Sequence, residues 1–213
     1  MNSPIGRKIR TERILKEIGI PINKNLPALV NDGKFRLRTK DEVINRIISI
    51  TITSAKGSGA PDELIDEYIK KYDAMDMFTS YEKEFILSED PDQDELNYYL
   101  WKIECNSALL WAIQCTPTLS FPSDPPDVEF LYRVVLNSSR EELLNQAELR
   151  NINEILDALD LVYRLHSAIV DARLAQKDLP AAISPGVVYE RRYALNWLVH
   201  YQNKEWDDIS MAI

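Results

Sequence analysis

The scarcity of glycine is the feature of this sequence that most constrains its fold. The 213 residues include six glycines, and residues 60–185 contain none. Phosphate-binding loops, the dinucleotide-binding fingerprint and the nucleophile elbow of serine hydrolases all need closely spaced glycines, because their backbones turn sharply or approach an anion. Gly57 and Gly59 come nearest to such a motif, but no Gly-Lys-Ser or Gly-Lys-Thr follows them. The sequence therefore lacks the common nucleotide and acyl-transfer motifs and favours long, uninterrupted helices.

Helix-start signals recur along the chain. Thr39 and Glu42 have the spacing of a capping box, in which a hydroxyl and a carboxylate bind the backbone N–H groups that a helix start leaves unpaired. An apolar-periodic segment follows this box and predicts a helix. Residues 47–53 are also rich in β-branched side chains that alternate with period two, so a strand is the competing prediction for this stretch. The same box spacing recurs at residues 79–82 and 139–142.

Several further helices are predicted from apolar periodicity, capping residues and the placement of proline at helix starts. They cover residues 61–72, 92–113, 151–177 and 184–201, with another beginning near residue 124. The intervening loops are short and no internal repeat of fixed period occurs. These features predict a single all-α domain over residues 1–213, a bundle of about seven to nine helices with room for one short strand pair.

The formal net charge of −9 hides a strong asymmetry along the chain. Residues 1–40 carry ten basic and three acidic side chains, whereas residues 41–213 carry 15 and 31. The segment 61–95 holds 13 acidic residues against three basic ones. We expect residues 1–40 to form a basic N-terminal arm that packs on the acidic body. An acidic body repels the phosphate backbone, so no nucleic-acid partner is expected, while the 61–95 segment favours a basic protein partner through electrostatic steering.

The sequence also indicates a compartment. The N-terminus runs directly into charged residues with no apolar stretch of signal-peptide length, and the longest aliphatic stretch is far shorter than the ~18–20 apolar residues of a membrane span. Cys105 lies in the predicted 92–113 helix and Cys115 lies at its exit, too far apart to form a disulfide if the helix continues. We therefore expect free thiols, a cytoplasmic location and no membrane partner.

Charged side chains interrupt the apolar faces of the C-terminal helices. The 151–177 helix is apolar around most of its circumference, so some of its charges are expected to be buried, and buried charges must be paired. Glu104 lies on another apolar face. Arg191 and Arg192 lie beside aromatic residues in the last predicted helix. These groups predict either a buried ion-pair cluster or a binding site for an anionic ligand. The candidates are Glu104, Asp157, Asp160, Arg164, His166, Asp171, Arg191 and Arg192.

Metal and cofactor chemistry find little support in the sequence. The chain has two histidines, His166 and His200, and neither belongs to an HExxH or Glu-x-x-His pattern. We therefore predict no metal site and no cofactor, and we assign no catalytic residue. The absence of a recognisable catalytic motif favours a protein that is not an enzyme.

Four segments taken in order carry a family resemblance. They are residues 109–113, with the sequence LLWAI, residues 160–166, with DLVYRLH, residues 189–197, with YERRYALNW, and the Trp-Asp-Asp of residues 206–208. Together they resemble the bacterial domain-of-unknown-function 4272 family (DUF4272), and the resemblance extends over nearly the whole chain. It implies a bacterial, cytoplasmic, helical domain. It brings no established activity and supplies no catalytic residues.

Three hypotheses about function follow. The leading one is a non-enzymatic interaction protein, an adaptor or an immunity-type inhibitor of a basic toxin, that uses the acidic segment 61–95. The alternative is a small-molecule-binding protein or enzyme whose pocket is lined by the buried charged residues of the C-terminal helices. The third is a structural homodimer. The second hypothesis requires that these charged groups converge on an open cavity. Whether the region around Arg164 and Arg191 is open to solvent or sealed in the core therefore discriminates it from the first hypothesis.

Overall fold

The chain folds into a succession of α-helices joined by short connections. The computed structural model describes residues 3–29, 35–179 and 183–213, and it contains no strand within these ranges. The prediction of an all-α fold is confirmed, and the short strand pair for which it left room does not occur among the described residues. The helices are α1 (Pro4–Glu17), α2 (Lys40–Gly57), α3 (Asp62–Tyr72), α4 (Ser80–Leu87), α5 (Gln93–Trp101), α6 (Ile103–Ala112), α7 (Val128–Leu136), α8 (Arg140–Gln146), α9 (Ile152–Leu174) and α10 (Pro185–Leu198), with short turns of 3-10 helix at Ala74–Asp76, Tyr201–Asn203 and Trp206–Asp208.

Helix α2 is the central element and contains the stretch for which helix and strand competed. The predicted capping box forms at its start, and the helix continues through residues 47–53 without interruption. Hydroxyls of Ser49, Thr51 and Thr53 each donate to a backbone carbonyl one turn earlier, so they are satisfied inside the helix. The helix packs against α3 through α8 and is buried on nearly every side. Burial around the whole circumference favours a helix over a half-buried strand.

A bend at Lys102 divides the helix that was predicted over residues 92–113. Lys102 itself keeps α-helical angles, φ −60° and ψ −21°, between the end of α5 and the start of α6. Its side chain is buried at the bend and pairs with Glu190 of α10. Counted as one bent helix, α5 and α6 bring the number of α-helices in the described residues to nine, the upper end of the predicted seven to nine.

Helices α6, α9 and α10, together with α1, form a second packed layer, called the C-terminal layer below. Helix α10 packs against both α6 and α9, and α1 packs on α9. The side chains of Asp127 and Asn151 cap the starts of α7 and α9 by accepting backbone N–H groups. From α1, the side chains of Arg7, Thr11 and Leu15 are buried against this layer. The layer therefore holds charged as well as apolar side chains.

The turn that follows α10 packs back onto the bundle through a tryptophan. Trp206 is 5% exposed and lies edge-on to the rings of Tyr193 and Trp197, at centroid distances of 5.0 Å and 5.4 Å. The Arg46 guanidinium lies over the Trp206 ring at 4.8 Å. This packing brings Asp207 next to α4 and α5, where it borders a surface recess.

Candidate functional site

Arg164 and Asp160 form a sealed ion pair on α9. Two hydrogen bonds of 3.0 Å join the guanidinium to the carboxylate, and the two side chains are 3% and 0% exposed. Arg164 also donates to Glu12 of α1 at 3.3 Å and to the Pro27 carbonyl at 3.3 Å. The cavity beside it measures about 10 Å³, which is no larger than a single water molecule requires. Arg164 is thus closed off from any ligand larger than water.

Arg191 of α10 pairs with Glu104 of α6. The Arg191 Nε donates to Glu104 Oε1 at 2.6 Å, and the side chains are 2% and 0% exposed. Burial raises the pKa of Glu104 to about 6, although Arg191 acts in the opposite direction. Arg191 also donates to the Ser120 carbonyl in the connection between α6 and α7. Despite its burial, Arg191 borders two neighbouring cavities, of about 460 Å³ and 290 Å³.

His166 and Arg192 lie apart from both of these pairs. The Arg192 guanidinium donates to His166 Nδ1 and to the backbone carbonyls of Met211 and Ala212, at 3.0 Å and 2.7 Å. It also lies 5.0 Å from the centre of the Tyr163 ring. Because Nδ1 accepts from a permanent cation, the imidazole is neutral and its proton is on Nε2. Arg192 is held by carbonyls and an aromatic ring, and no carboxylate pairs with it within the described residues.

The histidine makes the stability of the protein depend on pH. Burial lowers the pKa of His166 from 6.5 to about 4, and Arg192 and Arg173 lower it as well. Between these pH values the unfolded chain binds a proton that the folded chain does not, so the contribution of His166 to stability is full above pH 6.5 and is lost as the pH falls towards 4. Urea denaturation from pH 4 to pH 7 should show a growing advantage of the wild type over His166→Gln. A pH-independent difference between the two proteins would contradict this assignment.

The two remaining candidates occupy further separate positions. Asp157 accepts from Arg7 at 2.9 Å and from Arg10 at 2.8 Å, which ties α9 to α1. Asp171 is exposed and accepts from Asn23 at 3.2 Å. The eight candidates therefore form several distinct interactions along the C-terminal layer, and of the eight only Asp157 and Arg191 line the cavity of about 460 Å³.

Sequence reasoning missed two further buried ion pairs. Arg46 of α2 pairs with Glu82 of α4, with both side chains 4% exposed, and Lys102 pairs with Glu190 at 2.8 Å. The Lys102 ammonium also lies 4.8 Å from the centre of the Tyr98 ring. Each pair joins residues far apart in sequence, so helical periodicity does not reveal it. The only local signal was the capping box that contains Glu82.

The acidic segment forms an exposed surface. Residues 61–95 are all described, and of their 13 acidic side chains Glu82 is buried, Glu95 is half-buried and the other eleven are exposed. These eleven residues, on α3, α4, the start of α5 and the connections between these helices, are called the acidic surface below. Lys83 lies on the same segment, 3.8 Å from Asp76. The excess of negative charge found in the sequence is therefore in contact with solvent.

A recess of about 340 Å³ opens at one edge of the acidic surface. Four aromatic rings and four carboxylates border it, together with the ammonium group of one lysine. The lining residues, contributed by α4, α5, the bend after α5 and the C-terminal turn, are Tyr81, Glu82, Glu84, Glu95, Tyr98, Tyr99, Lys102, Trp206 and Asp207. We call this cavity the aromatic recess.

The aromatic recess carries an excess of negative charge. The charges of Glu82 and Lys102 are compensated by the buried partners described above, which leaves the carboxylates of Glu84, Glu95 and Asp207. Partial burial raises the pKa of Asp207, and the neighbouring Glu82 contributes in the same direction. Aromatic rings and carboxylates both attract cations, the rings through their quadrupole. The chemistry of the recess therefore suits a positively charged group.

The described residues contain no candidate metal cluster and no candidate membrane span. No group of three or more His, Cys, Asp or Glu side chains in this part of the chain has the geometry to hold a metal ion. Within the same residues, every helix is too short or too polar to cross a bilayer. Cys105 and Cys115 are both free thiols.

The fold and these cavities define a helical protein with an exposed acidic surface. A family model for a domain of unknown function, DUF4272, matches residues 7–209, and the chain belongs to that family. The resemblance noted in the sequence is thereby confirmed over nearly the whole chain. No curated protein and no solved structure matches it.

Proposed function

We propose that the protein is a non-enzymatic interaction module that binds a basic protein, as an adaptor or an immunity-type inhibitor does. The aromatic recess is the observation that carries the proposal. It provides a concave site, at one edge of the acidic surface, into which an arginine or lysine side chain of the partner inserts. The acidic surface attracts the partner over a longer range and raises the rate of association.

The rings of the recess are suited to this role because two of them are open to solvent. Tyr81 is 63% exposed and Tyr98 is 52% exposed, so a guanidinium can stack on them without displacing core side chains. The Lys102 ammonium at 4.8 Å from the Tyr98 ring is a cation–π contact already built into the site. Arginine is the favoured ligand, since its planar group both stacks on rings and pairs with a carboxylate such as Glu84.

We infer that this interaction takes place in the bacterial cytoplasm. Both cysteines are free thiols, which suits a reducing compartment. Burial raises the pKa of the Cys105 thiol well above its usual value, and its Sγ donates to Glu190 at 3.3 Å. The thiol is therefore protonated and serves packing rather than chemistry.

A fluorescein-labelled hexa-arginine amide tests the recess directly. We expect the peptide to bind at low salt, as measured by fluorescence anisotropy, and the affinity to fall steeply as the salt concentration rises. Glu84→Gln and Tyr81→Ala should each weaken binding by about three- to fivefold. Both side chains are exposed, so neither change should affect folding.

The matched control is Glu63→Gln on α3. Glu63 is exposed and belongs to the acidic surface but does not line the recess, and its substitution removes the same charge. Equal losses for Glu63→Gln and Glu84→Gln would show that the recess is no anchor and that only long-range attraction operates. No binding of the peptide at low salt, or spermidine binding as tightly as the peptide, would overturn the proposal of a protein partner.

A further inference from the structure

A second cavity lies in a different part of the molecule, between α1, α9 and the connection from α6 to α7. Its volume is about 460 Å³, which is within the range of small-molecule sites. Most of its wall is apolar, and the lining includes Ile14 of α1, Trp111 of α6, Phe121 of the connection and Leu161 of α9. Ile14 and Phe121 are 46% and 36% exposed, so the apolar wall is accessible from solvent.

The charged groups of this cavity have an excess of arginine. Arg10, Arg13 and Arg191 line it, opposed by the carboxylates of Glu154 and Asp157. Asp157 is already shared between two arginines of α1, and Glu154 lies 3.4 Å from an arginine outside the cavity, Arg150. Each of the two acidic groups therefore already has a basic partner.

Arg13 is the cation that remains. It is exposed at the edge of the cavity, and no carboxylate or hydrogen-bond acceptor pairs with it in the ranges that the structure describes. Arg191, which is paired with Glu104, contributes a second guanidinium to the lining, and it also donates to the Ser120 carbonyl. An apolar wall with an unpaired guanidinium at its edge is complementary to a molecule with an apolar body and one negative charge.

We propose that this cavity binds a small amphipathic carboxylate. The apolar body of the ligand lies against Ile14, Trp111 and Leu161, and its carboxylate pairs with Arg13, whose planar group can donate two parallel hydrogen bonds. The cavity shares no lining residue with the aromatic recess, so the two binding proposals can be tested independently.

Calorimetric titration with decanoate, and with decan-1-ol as the uncharged compound of the same chain length, tests the site. We expect decanoate to bind with one-to-one stoichiometry and decan-1-ol to bind at least about tenfold more weakly. Arg13→Gln should weaken decanoate binding by about tenfold. Lys16→Gln is the matched control, because Lys16 is exposed on the same helix, carries the same charge and does not line the cavity.

A cavity-filling variant keeps the test independent of charge. Ala158 of α9 is half-buried and lines the cavity, so Ala158→Phe should abolish decanoate binding while thermal unfolding shows that the protein remains folded. Absence of decanoate binding to the wild type would overturn the proposal. So would equal affinity for decan-1-ol, equal losses in Arg13→Gln and Lys16→Gln, or undiminished binding by a folded Ala158→Phe protein.

Discussion

Replacing Arg164 with methionine is expected to lower the free energy of unfolding by about 3–5 kcal/mol. The guanidinium and the Asp160 carboxylate are joined by two hydrogen bonds of 3.0 Å, and Asp160 is completely buried. Methionine preserves much of the apolar stem of arginine but removes its charge, so the carboxylate loses its partner in a region of low dielectric constant. Urea denaturation followed by circular dichroism measures the loss.

Two further variants show whether the stranded carboxylate causes the loss. In the double variant Asp160→Leu/Arg164→Met both partners are apolar, and most of the stability should return. Lys83→Met removes a lysine from an exposed pair, in which 3.8 Å separates it from Asp76, and should leave the free energy nearly unchanged. If Arg164→Met proved as harmless as Lys83→Met, the Arg164 pair would make no contribution of its own.

The fold could be predicted from sequence wherever the signal is local. Each capping box places a hydroxyl and a carboxylate three residues apart, and all three predicted boxes form, at residues 39–42, 79–82 and 139–142. The bend at Lys102 could not be predicted in this way. It coincides with an ion pair to Glu190, 88 residues further along the chain, and such a pair depends on how α10 packs.

The candidate site residues, too, could be predicted only where the signal is local. The pair of Asp160 and Arg164 lies one turn apart on one helix, so its spacing could be seen in the sequence. From the sequence, any of several carboxylates could be the ion-pair partner of Arg191. The packing of α6 on α10 determines that the partner is Glu104. The aromatic recess had no local signal at all, because the turn that contains Trp206 brings Asp207 to α4 and α5.

Glu82→Gln should have the second large effect, because one carboxylate serves two structural roles. It accepts the Thr79 backbone N–H at 2.9 Å in the capping box of α4, and it compensates Arg46 in a pair whose side chains are both 4% exposed. Glutamine can retain the capping bond but not the charge. The guanidinium of Arg46 is then left buried and unpaired, and we expect the free energy of unfolding to fall by about 3–5 kcal/mol in urea denaturation.

The chain contains a natural control for this change in the capping box of α2. Glu42 also occupies the third position after a threonine and also pairs with an arginine, Arg38 at 3.2 Å, but its side chain is 42% exposed. Glu42→Gln should therefore cost less than about 1 kcal/mol. Equal losses of unfolding free energy in the two variants would show that the effect comes from helix capping and not from the buried ion pair. A larger loss of unfolding free energy for Glu82→Gln would show that the uncompensated charge of Arg46 causes the effect. The same variant should then bind the hexa-arginine peptide more weakly, because the uncompensated Arg46 beside the aromatic recess repels the cation that the recess is proposed to bind.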